Sequence, residues 1–569
     1  MREDWDWKEE INPSKLSEGV PLSEITGAGI YNRAIIFGCE RSPYTKGLEQ
    51  ELGKLQTVPE DKFSNTALGA WIKRDFSAFR PPVLNNADLL EPLPLNSEQR
   101  EAVENALTRP LTVITGPPGT GKSQVVSSLL INAAKRGLRV LFVSKNNKAV
   151  DVVETRVNGL GPRPVLLRLG RGEYQNNLSS YLTSLLASRA TPEDSENYRE
   201  AENEYGQLTA RMRELQQKCQ DIIALRNEVD KAEQKVEAIR TELGQEWFEH
   251  FCGLNADELL RSASGLQGSA RQATREKQGF ITRLFWFSVR DARMALLRNA
   301  AQTAHPVLST VGVSIPLEPG FFDLLVVDEA SQCDIASLVP LLYRAKAVAV
   351  IGDPMQLRHI SAISPRRDRD LLQQHNLADT HISWAFSENS VYDLASPLAD
   401  SNDIVQLRDH HRSHADIIEF SNQQFYGGNL RVATNYDRLK RLHPDGPAVR
   451  WNHVQGKVIK PGTGGALNEI EAQATVREIE RMVMQQGYRG SIGVVTPFRA
   501  QANRIRDILH AHPHSHLLFA QGELLVDTVH RFQGDERDVM LFSTVVSNGI
   551  AEGALGFLRK TGYLFNVAI

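Results

Sequence analysis

Gly116-Pro117-Pro118-Gly119-Thr120-Gly121-Lys122-Ser123 is the stretch that most narrows what this chain can become. The apolar run Leu111–Thr115 leads into it, and a helix-compatible segment, Gln124–Ala134, leads out. Glycines at these spacings let successive backbone N–H groups turn inward, and the start of the following helix adds positive potential. Strand, glycine-rich turn and helix in this order make a cradle for nucleotide phosphates. Lys122 is placed to reach the β- and γ-phosphates of ATP, and the Ser123 hydroxyl to ligate Mg²⁺. Such a loop needs a carboxylate at the tip of a neighbouring strand. Leu324-Leu325-Val326-Val327-Asp328-Glu329 supplies one, with Asp328 for the metal shell and Glu329 to orient water.

The surrounding pattern fits an α/β chain. Leu111–Thr115, Val140–Ser144, Leu324–Asp328 and Ala347–Gly352 are short runs rich in Val, Ile and Leu. Runs of this kind read as strands buried on both faces of a parallel sheet. A second set, Ile404–Leu407, Ile492–Thr496, Leu524–Asp527 and Val539–Ser543, predicts a second sheet. With 569 residues the chain is too long for one core. The expected plan is an N-terminal accessory region (1–90) and a first sheet domain in two parts (91–185 and 306–395). A helical arm (186–305) interrupts that domain, and a second sheet domain (396–569) follows. In the arm, apolar positions step from Tyr205 through Leu208, Met212, Leu215, Cys219, Ile222, Leu225 and onward to Leu243 at spacings of three and four, as in a coiled coil.

Composition bounds the setting. Formal net charge is −4, so any nucleic-acid site is a local basic groove and not a whole-molecule property. The longest apolar cluster, 280–287, is broken by Thr282 and Arg283 and is too short to span a membrane. Cys39, Cys219, Cys252 and Cys333 form no CxxC pair, and the first residues are acidic and polar. Both features predict a reducing, cytoplasmic setting.

The order of motifs resembles that of the superfamily 1 helicases, in the branch of the nonsense-mediated-decay RNA helicase and the replication helicase-nuclease. Leu95-Asn96-Ser97-Glu98-Gln99 is similar to the glutamine motif before the phosphate loop, which implies adenine recognition by Gln99. Asn146–Asp151 resembles the segment that touches the nucleic-acid backbone, here through Asn147. Asp328–Gln332 resembles the acidic motif. Gly352–Leu357 resembles the next one, in which Gln356 would sense the γ-phosphate. Leu407–His414 resembles the motif whose arginine, here Arg412, reaches the γ-phosphate across the cleft, although His411 stands where the family usually has tyrosine. Phe420, Phe425, Tyr426 and Gly428 continue that pattern as core and turn. Thr496-Pro497-Phe498 is similar to a segment lying against the bound strand. Val526–Glu536 resembles the motif in which Thr528 and His530 contact nucleic acid while Gly534 and Glu536 face the nucleotide.

The resemblance spans about 95 to 569 and implies two tandem RecA-like domains that pinch ATP·Mg²⁺ between Gly116–Ser123 and Arg412. It also implies 5′→3′ movement on single-stranded DNA or RNA. Two further readings remain: an ATP switch gating a protein partner through the arm, and a catalytically weak nucleic-acid-binding fragment. The family's arginine run should follow Asn566-Val567-Ala568, where this sequence has Ile569 and stops. A truncated second domain is therefore expected, with Phe557, Leu558, Leu564 and Phe565 partly exposed.

Overall fold

The structure is a computed structural model. It describes residues 46–80, 89–160, 317–359, 363–379, 381–443, 446–461, 465–532 and 536–568, with scattered positions besides. The chain divides into two compact units, Met1–Val58 and Pro59–Ile569. In the first, a helix runs from Lys46 to Leu55, and the backbone N–H groups of Lys8 and Glu9 both donate to the Ile30 carbonyl.

The second unit is built on two parallel sheets. Strands β1 (Leu111–Thr115), β2 (Val140–Ser144), β3 (Phe322–Asp328), β4 (Ala345–Gly352) and β5 (Ile404–Gln406) form one sheet in the order β2-β3-β4-β1-β5. Every pairing in it is parallel, so all five strand tips open on one edge. Val113, Ile114, Leu325, Val326, Val350 and Ile351 are fully buried, as expected for strands covered on both faces. The second sheet pairs β8 (Ile492–Thr496) with β9 (Leu525–Thr528) on one side and β10 (Val539–Phe542) on the other, again parallel. Between the sheets, β6 (Asp409–His410) and β7 (Arg431–Val432) make a two-residue parallel pair.

Three expectations are corrected. Ile404–Leu407, expected in the second sheet, pairs with β1 and completes the first. The physical reason is the vacant side of β1: Val405 joins the first core there, and Leu407 N donates to Thr115 O at 2.9 Å. Residues 59–80 with Leu89 and Leu90, expected in an accessory region, supply core to the first sheet domain. The helix Ala67–Lys73 buries Ala67, Leu68 and Trp71 against β4 and the helix Ile335–Tyr343, and Leu90 packs on the opposite face. Leu558 and Leu564, expected to be exposed, are buried with Leu357, Val495 and Phe532, whereas Phe557 is open to solvent. Of the apolar positions read as a coiled-coil arm, Leu208 is helical and half-buried, and the others lie outside the described residues. Among the described residues no helix is long and apolar enough to cross a membrane.

Trp71 is 1% exposed. Trp71→Ala is therefore expected to lower the stability of the first sheet domain by about 3–5 kcal/mol in a guanidinium titration. An unchanged midpoint would return 59–80 to the status of an appendage.

Candidate active site

All the motif residues of the first domain lie where its parallel strands end, the edge on which open α/β sheets bind ligands. β1 runs into the phosphate loop, and the helix Lys122–Lys135 begins at its far side. Gly119 and Gly121 sit at φ +73° and +83°, a region costly for other residues. A Cβ on Gly119 would lie 2.7 Å from both Arg412 Cβ and His410 Cε1, and one on Gly121 2.5 Å from Gln99 Nε2. These two glycines thus admit close neighbours as well as a turn. Pro117 and Pro118 precede Gly119 in the loop, and Thr120 Oγ1 donates to Pro117 O at 2.8 Å. Lys122 Nζ donates to Gly116 O at 2.7 Å, lying across the loop.

β3 ends beside β4, two strand positions from β1, so Asp328 stands about 10 Å from the loop's strand by sheet spacing alone. Burial, and after it the charge of Glu329, holds the Asp328 carboxyl well above the usual carboxylate range, against the pull of Lys122. Glu329 adopts the left-handed conformation (φ 52°, ψ 39°), a strained geometry for glutamate. Its carboxylate accepts from Gln332 Nε2 at 3.1 Å. The turn after β4 carries Asp353 and Gln356, both buried, with Gln356 Nε2 donating to Asp353 Oδ2 at 3.0 Å.

The segment after β5 closes over the loop from outside. His410 is 1% exposed, and its Nδ1–H donates to Pro118 O at 2.8 Å. Nε2 accepts from Ser413 N at 2.9 Å, which fixes a neutral ring in one tautomer. Burial pushes the imidazole down to about 4. His411 N donates to Gly119 O at 2.9 Å. Arg412 is thereby held at the mouth of the loop, where its guanidinium pairs with the Glu536 carboxylate. Gly534 lies outside the described residues.

Gln99 is committed within the protein. Its amide donates to Thr120 O at 3.1 Å and accepts from Asn96 N at 3.1 Å, closing a capping box on the helix Ser97–Thr108. The same helix start is tied to the Arg412 segment. Asn96 Nδ2 donates to Asp409 Oδ2 at 2.8 Å, and Arg431 bridges Asp409 and Glu98.

The expected strand contacts are presented unevenly. Asn147 opens the helix Asn147–Asn158 and is exposed, as is His530. Thr528 is 8% exposed, and Thr496 and Pro497 are buried, so at that tip the exposed side chain is Arg499. Sequence reading gave His410 no separate role and placed Tyr426 as core and turn. The Tyr426 hydroxyl in fact donates to Asp353 Oδ2 at 2.7 Å. A histidine two residues before the arginine was the available signal for the first. Nothing local marked the second.

The depressed His410 pKa has a definite stability consequence. Its folded value, about 4, lies below the ordinary 6.5. Below pH 6.5 the unfolded chain takes up a proton that the folded chain refuses, so this site's contribution falls as pH drops toward 4, by about 3 kcal/mol in all. His410→Gln should flatten the acid side of a stability-versus-pH curve from urea melts. An identical slope in the variant would show that His410 is not buried neutral.

Comparison with known proteins matches residues 94–360 to one AAA domain family and residues 388–569 to another. The chain is 25% identical over 513 residues to Helicase sen1 of Schizosaccharomyces pombe, covering 84% of this chain and 28% of that protein. It is 24% identical to a regulator of nonsense transcripts 1 homolog of Neurospora crassa, covering 84% and 36%. To the DNA polymerase alpha-associated DNA helicase A of Saccharomyces cerevisiae it is 25% identical, covering 84% and 63%. The chain thus spans less than two thirds of each of these relatives. With the phosphate loop and acidic motif in the first match and the arginine segment in the second, the chain belongs to the superfamily 1 helicases, in the branch of the Sen1-type and nonsense-mediated-decay helicases.

Proposed function

We propose that this chain is an ATP-driven motor that moves along single-stranded nucleic acid, 5′→3′ by analogy with its branch, and opens duplexes ahead of it. The observation that carries the reading is the convergence of Lys122, Asp328, Glu329, Gln356 and Arg412 around one loop. Residues from both AAA matches meet there.

ATP·Mg²⁺ fits this donor set. Inward-turned amides and Lys122 take phosphate oxygens, while the Ser123 hydroxyl and Asp328 carboxylate are the hard oxygen ligands magnesium prefers. When bound, Mg²⁺ neutralises charge on the phosphates and fixes their orientation. Lys122 leaves the Gly116 carbonyl for the phosphates, and Glu329 orients the attacking water. Gln356 senses the γ-phosphate, and Arg412 exchanges Glu536 for it. Gln99 keeps one N–H and one lone pair for adenine beyond its bonds to Thr120 O and from Asn96 N, and those two bonds also hold Thr120 in place. Asn147, Thr528 and His530, with the backbone of Thr496 and Pro497, line the strand's path. A protein partner at the arm, 186–305, and a cytoplasmic setting go with this reading.

Steady-state ATPase with and without single-stranded DNA and RNA tests the proposal. Stimulation by either strand is expected, and turnover indifferent to both would leave only an ATP switch. Lys122→Ala should lower kcat by about 10²- to 10³-fold. Glu329→Gln should bind ATP and fail to hydrolyse it. Strand affinity should fall with salt at a log–log slope of roughly −0.7 per phosphate contacted. His530→Ala should weaken strand stimulation and leave ATP binding intact. Loss of ATP binding in that variant would put His530 in the wrong cleft.

A further inference from the structure

The turn that carries Gln356 is held by both sheet domains at once. From the first domain, Ser331 Oγ accepts from Asp353 N at 2.9 Å. From the second, Leu357 is buried among Val495, Phe532, Leu558 and Leu564. Asn566 Nδ2, on the helix Tyr563–Ala568, donates to Met355 O at 2.7 Å. The same nitrogen donates to Tyr426 Oη at 2.6 Å, and that hydroxyl donates onward to Asp353 Oδ2 at 2.7 Å. Gln356 Nε2 shares Asp353 Oδ2 at 3.0 Å.

The directions of these bonds are forced. Met355 O accepts only, and the Tyr426 proton is spent on Asp353, so the Asn566 group facing both must be its NH₂. Its Oδ1 then faces away and finds no donor among the described residues, although Asn566 is 1% exposed. A buried acceptor without a partner weakens a fold, while an apolar side chain there would instead leave the Met355 carbonyl without this donor, so what the asparagine contributes is the pair of bonds its NH₂ makes.

We propose that Tyr426 and Asn566 are positioning residues that fix the Asp353 carboxylate, and through it the Gln356 amide, according to where the second sheet domain stands. Movement of the helix Tyr563–Ala568 pulls on the Met355 carbonyl and on the Tyr426 hydroxyl together. Gln356 is then set for the γ-phosphate only when both bonds are made. This rests on the motor reading above, because it assigns a route by which strand grip in one domain reaches the phosphate side of the other.

The test is ATP hydrolysis by the full chain and by Tyr426→Phe, Asn566→Ala and the double variant, with melts to establish that each is folded. Tyr426→Phe keeps the ring and removes only the hydroxyl, so it carries the test if Asn566→Ala does not fold. Each single variant should lose about tenfold or more in strand-stimulated kcat with KM for ATP unchanged, and the double should lose no more than the worse single. A double variant whose loss is the product of the two singles would mean independent action and overturn the relay. So would parental kcat in Tyr426→Phe, or a raised KM at unchanged kcat. In each of those cases a strand-stimulated parent leaves the motor reading standing. A parent chain that does not hydrolyse ATP overturns both.

Discussion

Everything at the active edge depends on one close contact, the seating of His410 and His411 on the turn of the phosphate loop. His410 gives its proton to Pro118 O, and the His411 backbone gives its own to Gly119 O. That approach is possible because residue 119 has no Cβ. It brings Arg412 to the loop without any side chain having to stretch across open solvent. A glycine usually credited with room for phosphate is here also a docking surface for the residue that follows the last strand of the sheet. Any residue at 119 with a Cβ would push the arginine segment outward before it touched a nucleotide.

The energetics of the contact differ from those of the sheets. Inside each sheet domain the central strands β1, β3, β4 and β8 are packed with Val, Ile and Leu at almost no exposure, and such packing is all-or-none. Between the domains the contacts are largely polar: His410 with Pro118, Tyr426 with Asp353, Asn566 with Met355. A hydrogen bond within a protein exchanges for bonds to water at a net difference of only about 0.5–1.5 kcal/mol. An interface of this kind can open and reclose while the sheets on either side stay intact, which is the arrangement a hinged ATPase requires.

What the sequence made legible follows from how local each signal is. The phosphate loop and the acidic strand end are contiguous strings with their own flanking elements, and both stand where the spacing put them. The parallel sheet was legible in the uninterrupted apolar runs at Val140–Ser144 and Leu324–Asp328. The assignment of Ile404–Leu407 to the second sheet went astray because so short a run carries no information about its partner. Only the open side of β1 decides it. The helix around Trp71 was missed for the opposite reason: it precedes every motif, and its contacts, with β4 and with the helix Ile335–Tyr343, are far away in sequence. Thr496 and Pro497 form a recognisable string, but burial is a property of the assembled sheet, and no string reports it.

The buried polar residues extend the same point to function. Asp353, Gln356 and Asn566 stand in short motifs of the kind sequence reading finds, whereas Tyr426 lies 73 residues beyond Asp353 and 140 before Asn566. Only the fold brings its hydroxyl between them. Once there, it cannot be exchanged for phenylalanine without leaving the Asp353 carboxylate short of a donor in a dry site, where an unmatched charge is at its most unfavourable. The residues that bind a nucleotide can be recognised one strand tip at a time. Tyr426 belongs to neither of those two motifs, and only the fold shows that it satisfies a group from each.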